Sequence, residues 1–261
     1  MSAEISRHER FVYPVLAAMV VTAWIGLAVS DGAHLAHGLG AAGSGHADHG
    51  VPARTLQGLQ PLLFVGSWVL MTIAMMMPST LPVVDVFRRL TRMRADRIAL
   101  VALLLVGYLA AWTGLGIIVF GASELVRGWL GPRFLSRGES IGVLLFVVAG
   151  AFQLTSLKDR CLTECRTPIG FVVRRWNGKQ PRRASLRTGL AHGVFCVGCC
   201  WALMLLMFAF NVASLVWMLG LGLVMGIEKN APWGRKIVRP LGYTLLGIGF
   251  AILILSGQAP G

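Results

Sequence analysis

The chain has 261 residues, of which 56% are hydrophobic and 13% charged, and a mean hydropathy of +0.70 excludes a soluble domain of this length. A formal net charge of +13 would suit a nucleic-acid binder. The basic residues, however, sit in short blocks between apolar runs, where they act as orientation signals. Membrane lipid is therefore the expected partner and nucleic acid is not. The expected fold class is all-α, a polytopic transmembrane helix bundle.

A bilayer core of roughly 30 Å asks for about 20 apolar residues per helix. Seven runs approach that length: residues 11–29, 59–77 with an extension towards 85, 98–121, 141–157, 190–210, 212–227 and 241–255. Asn211 and Ser214 mark a tight turn between the fifth and sixth. Residues 1–58 form a first unit, one helix and an outer loop, and residues 59–261 a six-helix bundle.

Four of the 24 Lys and Arg (Arg54, Arg127, Arg133 and Arg137) fall in one set of alternating loops, and the other 20 fall in the opposite set. That split puts the N-terminus in the cytoplasm and the C-terminus outside. Arg7 and Arg10 before an apolar run ending Ala28-Val29-Ser30 also look like a signal peptide. The run is long for one, so an uncleaved helix is expected. Cleavage would leave the other six helices oriented as before.

The second span carries Met71, Met75, Met76 and Met77 just before Pro78 and Pro82. Pro78 removes a backbone hydrogen bond and is expected to kink the helix, which a membrane tolerates where neighbours satisfy the freed carbonyl. At 1.5 Å per residue, Met75 to Met77 lie about 24 to 27 Å along this inward-running helix. The fourth span ends near Cys161-Leu-Thr-Glu-Cys165, whose thiols share one side of a helix that Pro168 would end.

The fifth span holds His192, Cys196, Cys199 and Cys200, which recur at three- and four-residue spacing and so share one helix face. Met204 and Met207 extend that face. The thiols lie roughly 10 to 16 Å inside the membrane, at a depth similar to Met75 and Met77, so the two groups could meet. Gly189 with Gly193, and Gly222 with Gly226, have the small-xxx-small spacing that permits close helix contact. Glu228 and Lys229 close the sixth span, most simply as an interfacial pair.

A lone cysteine or methionine in a membrane helix is ordinarily packing. Here all five cysteines fall in two inner-side groups, and none lies in an outer loop where structural disulfides form. Thiolate and thioether donors suit a soft cation such as Cu(I). His192 either bonds a carbonyl or headgroup or joins these ligands. The outer loop, residues 31–54, holds His34, His37, His46 and His49 with Asp31 and Asp48. Such spacings suit Cu(II), Zn(II) or Ni(II), although low-complexity loops also bind metal incidentally. Trp24, Trp129, Trp201 and Trp233 sit near span ends and read as interface anchors or core.

No nucleophile elbow, phosphate loop, dinucleotide fingerprint or His-Glu-x-x-His helix is present, and no enzyme is expected. Four readings stay open: a copper-binding chaperone or assembly factor, a soft-metal transporter, a thiol redox protein working with quinone, and a structural subunit of a membrane complex.

Met75-Met76-Met77-Pro78-Ser79, Cys161-Leu162-x-x-Cys165-Arg166-x-Pro168, Gly193-x-x-Cys196-x-Gly198-Cys199-Cys200-Trp201-Ala202-Leu203-Met204 and Glu228-Lys229 together resemble a bacterial family of predicted metal-binding integral membrane proteins. The resemblance covers roughly residues 59–233. It implies a multi-pass protein of the bacterial inner membrane that delivers copper to a client cuproenzyme such as a polyphenol oxidase. The ligand set then expected is Cys196, Cys199 and Cys200 with Met75 or Met77, supported by His192 and Met204. Cys161 and Cys165 would exchange metal at the cytoplasmic mouth.

Overall fold

A computed structural model of the chain describes residues 13–29, 53–130, 138–176, 178–208 and 215–257. Every regular element among the described residues is helical: α1 (Tyr13–Val29), α2 (Ala53–Leu90), α3 (Arg97–Leu130), α4 (Gly138–Gln153), α5 (Ser156–Arg166), α6 (Pro168–Arg175), α7 (Pro181–Leu205) with a 3-10 turn Leu206–Phe208, α8 (Leu215–Asn230) and α9 (Gly234–Gly257). Hydrocarbon offers a backbone no hydrogen bonds, and helices satisfy it internally. Four helices, α2, α3, α7 and α9, are long and apolar enough to cross a membrane, or five if the bent pair α4 and α5 is one span. α1 and α8, at 17 and 16 residues, are shorter than those four helices and than the roughly 20 residues a full crossing asks for. The tight turn assigned to Asn211 and Ser214 lies outside the described residues, as do the four outer-loop histidines.

Leu62, Ile118, Val216 and Leu255 are exposed on the outside of the bundle, while charged and polar groups are buried within it. That inversion of a soluble protein's pattern suits a lipid-facing exterior.

α2 runs as one helix of 38 residues, about 57 Å, through Pro61, Pro78 and Pro82. Pro78 has no N–H to give the Ala74 carbonyl, and α1 supplies the replacement: Trp24 Nε1 donates to that oxygen at 3.2 Å. α1 lies antiparallel along α2, with Tyr13 donating to Asp85 at 2.8 Å at one end. At the other end Gly26 faces Leu70.

The tightest contact joins α3 to α7. A Cβ on Gly193 would lie 2.8 Å from the Tyr108 carbonyl oxygen, and one on Gly189 would overlap the Leu104 carbonyl. Gly107 answers from α3 against Leu186 and Leu190. The Gly189/Gly193 pair thus makes the close helix contact its spacing predicts. A second glycine seam joins α4 to α9, where a Cβ on Gly150 would lie 2.8 Å from the Gly242 carbonyl oxygen. Gly222 and Gly226 behave differently from expectation. Nothing presses on Gly226, Gly222 has only ordinary contact with Met75, and both line a cavity of about 590 Å³ between α1, α2 and α8.

The fourth span is not the continuous helix expected over residues 141–157. It breaks after Gln153, and α5 leaves at 67°. Thr155 is the cause that the sequence contains: its backbone is extended, and its side chain caps α5 by accepting from the Lys158 N–H at 3.3 Å. Asp159 adds a negative charge in the first turn, where the helix dipole favours it. Gln153 and Lys158, on either side of the break, converge on one carboxylate of α8. Gln153 Nε2 donates to Glu228 Oε1 at 3.0 Å and Lys158 Nζ to Glu228 Oε2 at 2.7 Å. At the far end of α5, Arg166 donates to the Glu228 and Pro232 carbonyls at 2.6 and 3.3 Å.

Gly189→Leu forces α3 and α7 apart and is expected to cost roughly 3 kcal/mol, seen as a lower thermal midpoint and loss of the monodisperse species in detergent. Trp24→Phe leaves the Ala74 carbonyl without its donor and is expected to cost about 1 to 2 kcal/mol in the same measurement.

Candidate metal centre

α7 carries the core of the site. At its start, Pro181 fits the first turn, which has no use for that N–H. Thr188, His192, Cys196, Cys200 and Met204 follow at four-residue intervals and are all buried, with Cys199 beside them. Cys199 Sγ lies 3.4 Å from Cys200 Sγ and donates to the Cys196 carbonyl at 3.2 Å.

α5 brings the other two cysteines to the same place. Cys165 Sγ lies 3.9 Å from Cys199 Sγ. Cys161, one turn earlier, rests on Gly198, where a Cβ would come within 2.6 Å of its sulfur. The two cysteine groups of the sequence are therefore one cluster, and all five thiols are free. The bend between α4 and α5 makes this possible, because it turns α5 back against α7 and α8.

Lys229 is the unexpected member. It is only 6% exposed, and its ammonium donates to Cys196 Sγ at 2.9 Å, Ser79 Oγ at 3.2 Å and Met76 Sδ at 3.5 Å. Those three bonds use all three of its protons. The interfacial Glu228-Lys229 pair expected from sequence does not form. Adjacent residues on a helix point about 100° apart, so Glu228 turns to Lys158 while Lys229 turns to the thiols.

The methionine run of α2 reaches the thiols of α7 through Lys229, which bonds both Met76 and Cys196. Met75 shares the buried cluster of the thiols and covers Gly222. Met77 belongs to a separate buried cluster with Phe87, Leu100 and Phe171, and its sulfur accepts from Thr80 at 3.7 Å. Met204 is buried with the thiols one turn beyond Cys200. His192 lies beside the site, its ring 5.6 Å from that of Tyr108 and 5.4 Å from that of Phe171. Its Nδ1 is buried without a partner. Tyr108 Oη and Cys196 Sγ share a hydrogen at 3.1 Å.

The donor set is sulfur-rich, and the nearest buried carboxylate, Glu228, has both oxygens engaged elsewhere. That composition suits a soft ion and not a hard, oxygen-seeking one such as Mg(II) or Ca(II). Among the described residues no three His, Cys, Asp or Glu side chains already converge as a closed metal site. The thiols bond instead to one another, to backbone and to Lys229, so taking up an ion means exchanging those contacts for bonds to it.

Met76, Ser79, Tyr108 and Lys229 escape a reading by residue type. The available signal was the dipeptide Glu228-Lys229 itself, two charges on neighbouring faces of one apolar helix, which must find two different partners.

The sequence model of one family, PpoB2, described as copper chaperone, matches residues 65–252. No curated protein and no solved structure matches the chain. The match begins within α2 and ends within α9, so it contains every residue of the sulfur cluster described above. The chain belongs to the PpoB2 copper chaperone family.

Proposed function

We propose that this protein is a multi-pass component of the bacterial inner membrane, with seven spans, a cytoplasmic N-terminus and an outer C-terminus. It holds Cu(I) as cargo and passes it to a client cuproenzyme. Cys196, Cys199 and Cys200 supply the thiolates, and Met76 supplies a thioether from α2. Thiolate gives affinity, whereas the neutral thioether bonds more weakly and lets the ion move on. Cys165, 3.9 Å from Cys199, and Cys161 pass the ion along α5 towards the cytoplasmic side.

One observation carries the reading: five cysteines from two helices, four buried and Cys165 half-buried, gather as free thiols in one cluster with a buried methionine. A packing role asks neither for all five in one place nor for a buried cation on them. The family match supports the copper cargo.

Protein purified anaerobically with copper present is expected to carry near-stoichiometric copper by mass spectrometry. The triple variant Cys196→Ser, Cys199→Ser, Cys200→Ser is expected to carry almost none, and equal, negligible metal in both would overturn the reading. Cys161→Ser with Cys165→Ser is expected to keep its copper but to release it to an added Cu(I) chelator about tenfold more slowly. An unchanged release rate would remove α5 from the path.

A further inference from the structure

Lys229 sits where a membrane protein has least reason to place a free positive charge. The neighbouring buried charges cancel: Lys158, 0% exposed, and Glu228, 1% exposed, pair at 2.7 Å, and Glu228 has no second carboxylate oxygen to spare because Gln153 occupies it. Lys229 has no carboxylate in ion-pair range among the described residues. Its ammonium faces two sulfurs and a hydroxyl, and one of the sulfurs, Cys196, belongs to the thiolate set of the copper site. Removing the ammonium from water is costly, and a stable fold would gain by replacing it with a neutral side chain unless the charge has a use.

We propose that Lys229 is a charge filter that makes this site select monovalent over divalent soft cations. The proposal rests on the copper reading above and deepens it. Thiolates alone do not distinguish Cu(I) from Zn(II) or Cd(II), since all three are bound by sulfur. A fixed positive charge 2.9 Å from a ligand sulfur does distinguish them. For any one set of thiolates, a divalent ion meets twice the repulsion from the ammonium that a monovalent ion meets. The three thiolates alone would carry a charge of minus three, and the ammonium lowers it to minus two, which weakens the preference of the site for the more highly charged ion. Lys229 touches the ligand set and need not touch the ion, so it is a specificity-determining residue and not a ligand.

The test uses the full chain in detergent, under anaerobic conditions, with Cu(I) and Cd(II) in competition and both metals counted by mass spectrometry. Lys229→Met and Lys229→Gln remove the charge, and Lys229→Arg keeps it. Size-exclusion chromatography restricts the count to the folded species of each. The neutral variants are expected to shift the bound Cd(II)-to-Cu(I) ratio at least tenfold towards Cd(II), and Lys229→Arg to retain the wild-type ratio. A ratio unchanged in both neutral variants, with Cu(I) still bound, overturns the filter and leaves the copper site standing. The same shift in Lys229→Arg as in the neutral variants also overturns it, because shape and not charge would then set the preference. Failure of wild type to bind Cu(I) overturns the copper reading and this inference with it.

Discussion

A carboxylate taken out of water needs a donor for each oxygen, and the position of Glu228 follows from that requirement. Lys158 and Gln153 meet it only because the fourth apolar segment breaks between them, allowing donors before and after the break to approach from one side. Removing one partner from such a pair costs about 3 to 5 kcal/mol, since the other charge is left buried alone. The pair therefore holds the break in place, and the break sets the path of α5. Arg166 fixes the other end of that helix on the last turn of α8. Between these two fastenings, Cys161 and Cys165 have little choice but to face α7.

The opposite wall of the site is held by different means. Gly189 and Gly193 bring the α7 backbone against that of α3, so Tyr108 arrives beside Cys196 without an intervening side chain. Where lipid removes the hydrophobic drive for helix association, such close packing is what remains to join helices. One side of the sulfur cluster is thus set by backbone contact and the other by buried charge, while Lys229 reaches across from α8 to Met76 on α2.

Much of this was legible from residue spacing. The three- and four-residue recurrence of Cys196, Cys199 and Cys200 placed them on one face, and depth counting brought the methionines of α2 to their level. Three features were not legible, each for a stated reason. The break at Thr155 is hidden because hydropathy averages over a capping threonine within an apolar run. That Met76, and not Met75 or Met77, bonds Lys229 depends on the rotation of α2, which a run of three methionines does not encode. The separation of Glu228 from Lys229 inverts the simplest expectation, that opposite charges next to each other in sequence pair. The seam glycines show a similar limit: Gly189/Gly193 and Gly222/Gly226 share one spacing, yet only the first pair has a helix pressed against it.

The indole of Trp24, which replaces the donor that Pro78 lacks, also bears on the order in which the chain matures. α1 precedes α2 along the chain, so the group that completes the hydrogen bonding of the proline-containing helix is synthesised about 50 residues before the carbonyl that needs it. A helix interrupted at Pro78 would otherwise wait for distant segments to cover its open carbonyl. With α1 already made, α2 can close its backbone on arrival and present Met76 before the cysteines of α5 and α7 have left the ribosome.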